Sequence, residues 1–336
     1  MANLGSNWLG SSDATRERFE RAINVGNAGT ALLQTFINRT VQQLTLREFG
    51  LQAVLPRRAG SGDAEYINRR TAGAAGGDWL ADTDAVVEET GTYAQISFPY
   101  KSLVTRGKIT RKLQATGRTY ADILALEMAA KAEDFANALE IGLVSSNSLG
   151  AGLSDADAPS GFLTLIQSVN SFDMSQVVVN AGATTATAPV SLSKLDQTID
   201  KVKGSAQRGD LVIIGSFAGI RSVNAALQAQ QRFNDVTEIA GGFRVRTYDG
   251  IPLVVSTAMP NTLQFAVSGV ISANAGVGTA LMVLNTRYNY IAELTPTTVM
   301  PIAKTDSQFD QFDMFWDGVG VLSNTKGAAL LTQIDA

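Results

Sequence analysis

The sequence predicts an α+β protein with one long helix, an extended β-hairpin and a compact unit of short helices and strands. Three observations carry this prediction. Residues 119–143 have apolar side chains at helical spacing, and residues 94–100 alternate apolar and polar side chains as a half-buried strand does. Residues 192–284 alternate helical patterns with short apolar runs, which favours an α/β unit inside the larger fold.

The N-terminal part predicts an arm followed by a helix. Residues 1–28 are polar and interrupted by glycines, which indicates a loosely structured arm. Residues 31–49 carry apolar side chains at roughly helical spacing, and this pattern predicts an amphipathic helix that ends near Gly50.

Residues 56–101 predict a long two-stranded projection. Two tracts of alanine, glycine and other small residues, 59–62 and 71–77, cannot pack a core, and the segment closes with the alternating strand 94–100. Because an isolated two-stranded ribbon is only marginally stable in water, we expect this projection to rest on another surface, most simply a neighbouring subunit.

The long helix over residues 119–143 presents one apolar stripe. Its stripe residues are Tyr120, Leu124, Met128, Phe135, Leu139 and Leu143. Its charged residues, Glu140 among them, fall off the stripe. At about 1.5 Å per residue, the helix is on the order of 35–40 Å long.

The following unit begins with a predicted capping box. Ser193 and Asp196 have the required spacing at the start of a helix. Residues 211–214 then predict a buried strand, 217–230 a second helix, 232–249 a loop or hairpin, and 251–256 a further strand. From Tyr288 onward the chain is rich in strand patterns.

Composition excludes several classes of chemistry. The 336 residues include no cysteine and no histidine, which excludes disulfides, thiol or histidine catalysis, and the usual zinc, copper and haem sites. Charged residues are only 17% against 45% hydrophobic, a balance that favours an oligomer. A net charge of −4 argues against a general nucleic-acid-binding surface. Neither a signal peptide nor a membrane-spanning apolar run is predicted, so we expect no membrane association.

In order and spacing, these segments resemble the major capsid proteins of tailed bacteriophages, which have the Hong Kong 97-type fold. Four stretches carry the resemblance: residues 29–33 through 46–49; residues 79–80 with 88–91 and 96–98; residues 119–122 into 135–142, followed by 159–163; and residues 251–256, then 281–285 and the closing β segment. The resemblance covers nearly the whole chain.

The resemblance implies a domain organisation. It assigns an N-terminal arm to residues 1–52, an extended hairpin called the E-loop to 53–112, and the spine helix with the start of the P-domain to 113–165. The A-domain would occupy residues 166–287, and return strands of the P-domain 288–336.

It also implies a function. Subunits of this family form hexamers and pentamers that close into an icosahedral shell around double-stranded DNA, without sequence-specific binding. Such a protein works by self-assembly, needs no cofactor or metal, is made in the host cytoplasm and resides in the virion capsid. Portal and cement proteins are further expected partners. A separate scaffolding protein is also expected, because no long charged helical segment precedes the arm.

The hairpin supplies the candidate inter-subunit residues. Four arginines in its first half precede a run of acids, and pairing between these groups in neighbouring subunits would set the register of the hairpin. A solvated surface whose ion pairs contribute about 0–1 kcal/mol each explains the same pattern. The candidates are Arg57, Arg58, Arg69, Arg70, Asp78, Trp79, Glu88, Glu89, Ile96, Phe98 and Tyr100.

Other functions remain open at the level of sequence. An encapsulin, a cellular cargo compartment on the same fold, is the nearest alternative. A carboxylate glycosidase is formally possible, although the acids do not suggest a cleft. Asp306, Asp310, Asp313 and Asp317 lie among aromatic residues near the C-terminus; calcium binding is conceivable, and a β segment anchored by its aromatics with the acids in solvent is the alternative that we favour.

Overall fold

The fold is taken from a computed structural model. The structure describes residues 47–72, 90–117, 123–146, 157–167, 176–182, 185–203, 208–229, 236–239, 243–302 and 308–336. The arm and most of the predicted helix over residues 31–49 therefore lie outside the described residues, as does the distal part of the projection.

The described chain contains six α-helices and fourteen strands, with two short 3-10 turns. The helices are α1 (Gly50–Val54), α2 (Arg111–Gly117), α3 (Ile123–Ser145), α4 (Phe162–Gln167), α5 (Leu192–Lys203) and α6 (Phe217–Ala229). The first seven strands are β1 (Arg57–Ala59), β2 (Ala64–Ala72), β3 (Thr92–Pro99), β4 (Lys101–Thr110), β5 (Val177–Val179), β6 (Leu211–Gly215) and β7 (Val236–Ile239). The remaining strands are β8 (Phe243–Tyr248), β9 (Ile251–Val255), β10 (Leu263–Phe265), β11 (Ile271–Asn285), β12 (Asn289–Ile302), β13 (Phe309–Leu322) and β14 (Ala328–Asp335).

These strands form three sheets. A large mixed sheet has the order β5-β14-β11-β6-β9-β8-β7, with β10 paired to β11. A four-stranded sheet has the order β1-β12-β13-β4, with β1 parallel to β12 and the other pairs antiparallel. The antiparallel pair β2-β3, called the hairpin below, stands apart as the third sheet.

Two hydrophobic cores lie on opposite faces of the large sheet. Successive residues of one strand alternate between them: Val212 and Ile214 belong to the core that also contains α3 and the four-stranded sheet, whereas Leu211 and Ile213 face α5 and α6. Because both faces are covered, every residue of β6 is buried, and its sequence is a continuous apolar run and not an alternating one.

The predicted long helix is confirmed as α3. Phe135, Leu139 and Leu143 of the predicted stripe are buried, and Leu124 and Met128 pack partly buried against the same core. The predictions of a strand at residues 211–214, a helix at 217–230 and a hairpin within 232–249 are also confirmed by β6, α6 and the β7-β8 pair. A two-residue turn joins β8 to β9, with Asp249 and Gly250 at φ 52 and 78, which suits a hairpin connection.

The predicted helix end near Gly50 is wrong, because α1 begins at Gly50 and residues 47–49 are not helical. The Glu140 carboxylate of α3 accepts hydrogen bonds from the backbone amides of Leu51 and Gln52, at 2.7 and 3.1 Å. These are amides of a first helical turn, which have no partner within the helix. A long-range contact thus starts a helix where local sequence suggested an end.

The predicted capping box at Ser193 and Asp196 is also wrong. Helix α5 begins earlier, at Leu192, and the Ser191 carbonyl accepts from the amides of Lys194 and Leu195, each at 3.0 Å. The side chain of Leu192 is buried in the core. This packing extends the helix in the N-terminal direction, to a residue before its predicted start. Asp196 instead accepts a hydrogen bond from the Tyr248 hydroxyl at 2.6 Å and so ties α5 to β8.

Candidate inter-subunit surface

One face of the hairpin, its inner face, packs on the body of its own subunit. In the antiparallel register, Glu65 lies opposite Phe98, Ile67 opposite Ile96, and Arg69 opposite Ala94. Phe98 is buried, and Ile67 and Ile96 pack half-buried against the main core. The described part of the hairpin therefore rests on its own subunit, which differs from our expectation that the projection rests on a neighbour.

Arg69 secures this inner face. Its Nε donates to the carbonyl of Ser323 at 2.8 Å, and its Nη2 donates to the carbonyl of Leu322, where β13 ends. The guanidinium also lies 5.9 Å from the centroid of the Phe98 ring. Burial lowers the pKa of Arg69. The side chain thus satisfies carbonyls of its own subunit in a largely buried position.

Glu65 provides a second anchor near the base of the hairpin. Its two carboxylate oxygens accept hydrogen bonds from the hydroxyls of Tyr290 and Tyr100, each at 3.0 Å. Burial, together with these contacts to Glu65, raises the pKa of Tyr290 to about 12. The Arg58 guanidinium stacks 4.1 Å from the centroid of the Tyr290 ring. The hairpin base is therefore joined to Tyr290 of β12 through Glu65 of β2, and Arg58 of β1 packs on the same ring.

Arg57 is also engaged within the subunit. It lies on β1, and its Nη1 contacts the Glu293 carboxylate at 2.7 Å. The same carboxylate oxygen accepts from the indole N–H of the buried Trp316 at 2.9 Å. Arg57 therefore helps to hold β1 against β12.

The opposite face of the hairpin, its outer face, is exposed. Tyr66 and Tyr93 are 53% and 71% exposed, and Asn68, Arg70 and Gln95 are exposed beside them. Arg70 lies directly opposite Tyr93 in the register. Tyrosine and arginine are enriched at protein–protein interfaces, where they supply large contact areas. The outer face is therefore the candidate surface for contact with another subunit.

The predicted site residues differ in what they contact within the subunit. Six of them contact their own subunit: Arg57, Arg58, Arg69, Ile96, Phe98 and Tyr100. Of these, Arg57 and Arg58 are nevertheless exposed, as is Arg70 on the outer face of the hairpin. Asp78, Trp79, Glu88 and Glu89 lie outside the described residues. Contact with a neighbouring subunit stays a prediction for all of these residues. The alternation of side chains along a strand could have assigned Arg69 and Arg70 to opposite faces of the hairpin, because Arg69 shares a face with Ile67.

The C-terminal acids lie on β13 of the four-stranded sheet. The Asp313 carboxylate accepts two hydrogen bonds from Arg106, at 2.7 and 2.8 Å, and the Arg106 guanidinium lowers the pKa of Asp313. Asp317 accepts from the Ser102 hydroxyl. Phe312 and Trp316 are buried between these acids, as the aromatic-anchor interpretation predicted. Asp306 lies outside the described residues. Among the residues that the structure describes, no group of three acids could hold a metal ion.

Glu140 is a functional candidate that the sequence reasoning missed. The sequence placed it off the apolar stripe, but it is fully buried, and besides the two amides of α1 it accepts from the Ser256 hydroxyl at 2.7 Å. Burial raises the pKa of Glu140, against the opposing effect of these hydrogen bonds. The sequence does carry a signal for this burial, because Glu140 is the one acid within the apolar run Leu139 to Val144. One carboxylate thereby joins α3, α1 and the end of β9.

Several solved structures have a similar fold. The capsid of the native GTA particle aligns with a TM-score of 0.63 at 18% identity, over 93% of this chain and 98% of that chain. The cyanophage A-1(L) capsid gives 0.65 at 13% identity, over 91% and 98%. The SrpI encapsulin of Synechococcus elongatus gives 0.64 at 13% identity, over 92% and 95%. The Hong Kong 97-type fold expected from the sequence is therefore confirmed.

This architecture is the one found in those three shell-forming proteins. Residues 61–335 match the family described as SU10 major capsid protein. The chain belongs to that family, and it is a major capsid protein that forms a capsid shell. No curated protein sequence matches it. Within the described residues, no helix is long and apolar enough to cross a membrane.

Proposed function

We propose that this protein assembles into hexamers and pentamers of an icosahedral bacteriophage shell, and that the outer face of the hairpin is one of its inter-subunit contacts. The observation that carries the contact is the division of the hairpin into two faces. Arg69 and Glu65 fix the inner face to the parent subunit, which leaves Tyr66, Arg70 and Tyr93 exposed on the other side. A surface held in a fixed orientation loses less entropy when a second subunit binds to it.

We further propose how the observed sheets correspond to the predicted domains. The four-stranded sheet and α3 would form the P-domain, and the large sheet with α5 and α6 the A-domain. Strands β1 and β4 lie within the predicted E-loop bounds of 53–112, yet they pair with β12 and β13. In this assignment the projecting part of the E-loop starts at β2 and returns through β3.

The shell contents are double-stranded DNA in this proposal, enclosed without sequence-specific binding. The net charge of −4 supports enclosure over tight wrapping. The proposed role is structural and not enzymatic, with synthesis in the host cytoplasm, a final location in the virion capsid, and no membrane contact. A separate scaffolding protein, a portal and cement proteins are the expected partners.

An encapsulin-type compartment is the second candidate, and the likeness to the SrpI encapsulin favours it at the level of fold. The two functions differ in contents. Particles purified from the natural source would be treated with nuclease and then analysed for protected DNA and for packaged protein. Protected double-stranded DNA supports the viral shell, and a stoichiometric cargo enzyme without DNA supports the compartment.

The hairpin contact is tested by replacing both exposed tyrosines, Tyr66 and Tyr93, with alanine. We expect unchanged subunit folding and a large loss of closed particles, measured by size-exclusion chromatography and negative-stain microscopy. The matched control replaces both with phenylalanine, which keeps the rings and should keep assembly. Normal particle yield from the double alanine variant would exclude the outer face as an essential contact.

A further inference from the structure

The strands of the large sheet and the four-stranded sheet are joined directly at two neighbouring places. Strand β11 of the large sheet leads into β12 of the four-stranded sheet through residues 286–288, and β13 leads back into β14 through residues 323–327. Strand β11 pairs with β14, and β12 pairs with β13. The two connecting segments, called the joint below, therefore lie side by side between the sheets.

The side chain of Asn289 bridges the two segments of the joint. Its Nδ2 donates to the carbonyl of Asn285, which ends β11, at 2.8 Å, and to the carbonyl of Gly327, directly before β14, at 2.7 Å. All three residues are buried. The bond to Asn285 is local and would stabilise the turn by itself, whereas the bond to Gly327 joins residues 38 positions apart. A side chain without this donor would therefore remove a buried hydrogen bond between the two segments.

A second group of hydrogen bonds holds the joint. The Tyr288 carbonyl accepts from the Ser323 amide at 2.9 Å and from the Ser323 hydroxyl at 2.8 Å. The amide and the hydroxyl of Thr286 both donate to the carbonyl of Asp210, at 2.9 and 3.2 Å, directly before β6. The joint is thus bonded across its own two segments and also to the start of a central strand of the large sheet.

The hairpin is attached beside the joint. Arg69 donates to the carbonyls of Leu322 and Ser323. Tyr290, the second residue of β12, donates to Glu65. A rotation at the joint would therefore carry the hairpin along with the four-stranded sheet, and would change the direction of the outer face relative to the large sheet.

The apolar core alone holds the angle between the two sheets less closely than these bonds do. Residues of both sheets share one core, but the hydrophobic effect that stabilises it is non-directional. A hydrogen bond weakens steeply as its geometry departs from the preferred one. The bonds of the joint therefore respond most strongly to a small rotation of one sheet against the other.

We propose that Asn289 is a positioning residue for assembly. By bridging the joint, it fixes the angle between the two sheets and with it the direction of the outer face of the hairpin. Subunits whose contact surfaces keep one angle can close into a shell of one diameter, whereas another angle gives other diameters or open tubes. The effect on the shell rests on the proposed hairpin contact, but the positioning itself is a property of the single subunit.

Spin-label distances in unassembled subunits test the positioning directly. The chain has no cysteine, so Val104→Cys on β4 and Arg221→Cys on α6 place one label at an exposed position on each side of the joint. Double electron–electron resonance should give a narrow distance distribution in the labelled chain. Adding Asn289→Ala should broaden or shift that distribution, and an unchanged distribution would overturn the proposal.

The matched control is Asn180→Ala. Asn180 follows β5 at the edge of the large sheet, and its Nδ2 also donates to two backbone carbonyls, those of Ala188 and Pro189, each at 2.9 Å. Its loss removes the same kind of bridge without touching the joint, and should leave the distance distribution unchanged. If Asn180→Ala and Asn289→Ala changed the distribution equally, the effect would be general destabilisation, and the positioning role would be wrong.

Particle assembly tests the consequence for the shell. Under conditions in which the wild type forms closed particles, Asn289→Ala should lose most particles of the wild-type diameter in favour of other diameters or open tubes. Asn180→Ala should keep the diameter, and negative-stain microscopy measures both. A changed spin-label distance with an unchanged diameter would overturn the role in assembly. Normal assembly of the double alanine variant of Tyr66 and Tyr93 would instead exclude the hairpin contact, and the spin-label result would still stand.

A milder variant decides the outcome if Asn289→Ala does not fold. Ser323→Ala removes the hydroxyl that donates to the Tyr288 carbonyl, while the amide of residue 323 keeps its own bond to that carbonyl. It should change the distance distribution and the particle diameter in the same way as Asn289→Ala, but to a smaller extent. Wild-type values of both quantities in Ser323→Ala would then overturn the proposal.

Discussion

The large sheet and the four-stranded sheet differ in how completely one subunit covers them. The large sheet has a core on each face, and β6 is buried at every position. Strand β4 of the four-stranded sheet is exposed at alternate positions, and Val104 on that strand is 59% exposed. The hairpin repeats this one-sided pattern. The central strand β6 of the large sheet is thus covered on both faces within one chain, whereas the other two sheets each leave one face exposed.

A matched pair of leucine substitutions tests this difference with the largest expected effect. Leu281 lies fully buried in β11 of the large sheet, and Leu294 is 44% exposed in β12 of the four-stranded sheet. Leu281→Ala should lower the free energy of unfolding by about 3–5 kcal/mol, because it leaves a cavity that the packed sheet cannot close. Leu294→Ala should cost less than about 0.5 kcal/mol.

Urea denaturation of unassembled subunits, followed by tryptophan fluorescence, measures both losses. Similar losses in the free energy of unfolding at the two positions would contradict the contrast between the sheets. The exposed Leu294 and the buried Leu281 would then contribute equally to stability.

Adjacent arginines on the hairpin sharpen the comparison between its two faces. Arg69→Ala removes the donor that satisfies the Leu322 and Ser323 carbonyls, and should lower subunit stability by about 1–3 kcal/mol. Arg70→Ala should leave subunit stability within about 0.5 kcal/mol of the parent and reduce particle yield. The measurements are urea denaturation of subunits and particle counting by microscopy. If Arg70→Ala destabilised the subunit as much as Arg69→Ala, the assignment of faces would be wrong.

Glu140 connects the part of the subunit built around the large sheet to α3, and its substitution should have a smaller, pH-dependent effect. Glu140→Gln keeps one acceptor for Leu51 and Ser256 but loses the second acceptor for Gln52, a loss of about 1 kcal/mol. Because burial raises the folded-state pKa of Glu140, its ionised form is disfavoured in the fold. Its titration therefore adds stability below the unfolded pKa, and this stability is lost as the pH rises through the folded pKa.

The wild type should accordingly gain stability relative to Glu140→Gln as the pH falls from above the folded-state pKa of Glu140 toward its unfolded-state pKa. Urea denaturation of both proteins across this range gives the difference directly. A difference that is constant with pH, or that grows in favour of the variant at low pH, would contradict a raised pKa at Glu140.

Local sequence patterns were sufficient to predict the helices and strands in which burial follows a regular pattern along the chain. The stripe of α3, the apolar run of β6 and the alternation of residues 94–100 each reflect one or two covered faces, so periodicity alone revealed them. The start of α1 and the burial of Glu140 could not be predicted this way. Both depend on a hydrogen bond between residues far apart in the chain. No spacing rule connects position 51 with position 140.

The candidate surface was predicted as a region but not residue by residue. The hairpin was correctly placed, whereas its arginines were treated as one charged group. Arg69 instead satisfies two carbonyls at the end of β13, more than two hundred residues away in the chain, with an N–O distance of 2.8 Å to Ser323. Arg57 and Arg58 likewise contact β12. Charge composition identified the segment, but the sheet topology decided which residues each arginine contacts.

The smallest expected effect belongs to the ion pair on the open face of the four-stranded sheet. Arg106 and Asp313 form a two-bond contact in solvent, where screening limits what such a pair contributes. Asp313→Asn should leave the urea midpoint of the subunit unchanged at about 0.15 M salt, with a shift emerging only at low salt. The pH dependence should also be opposite to that of Glu140. Because Arg106 lowers the pKa of Asp313, its stabilisation is present above the unfolded pKa and is lost as the pH falls through the folded pKa.

The two acids therefore provide a joint test of the contrast between enclosed and open surfaces. Acidification should favour the wild type over Glu140→Gln, and should remove whatever small advantage it has over Asp313→Asn. Ionic strength should affect the second comparison and have little effect on the first, because a buried carboxylate is poorly screened by salt. If both differences responded alike to pH and salt, Glu140 would be as accessible to solvent as Asp313, and the enclosed junction of α1, α3 and β9 would not persist in solution.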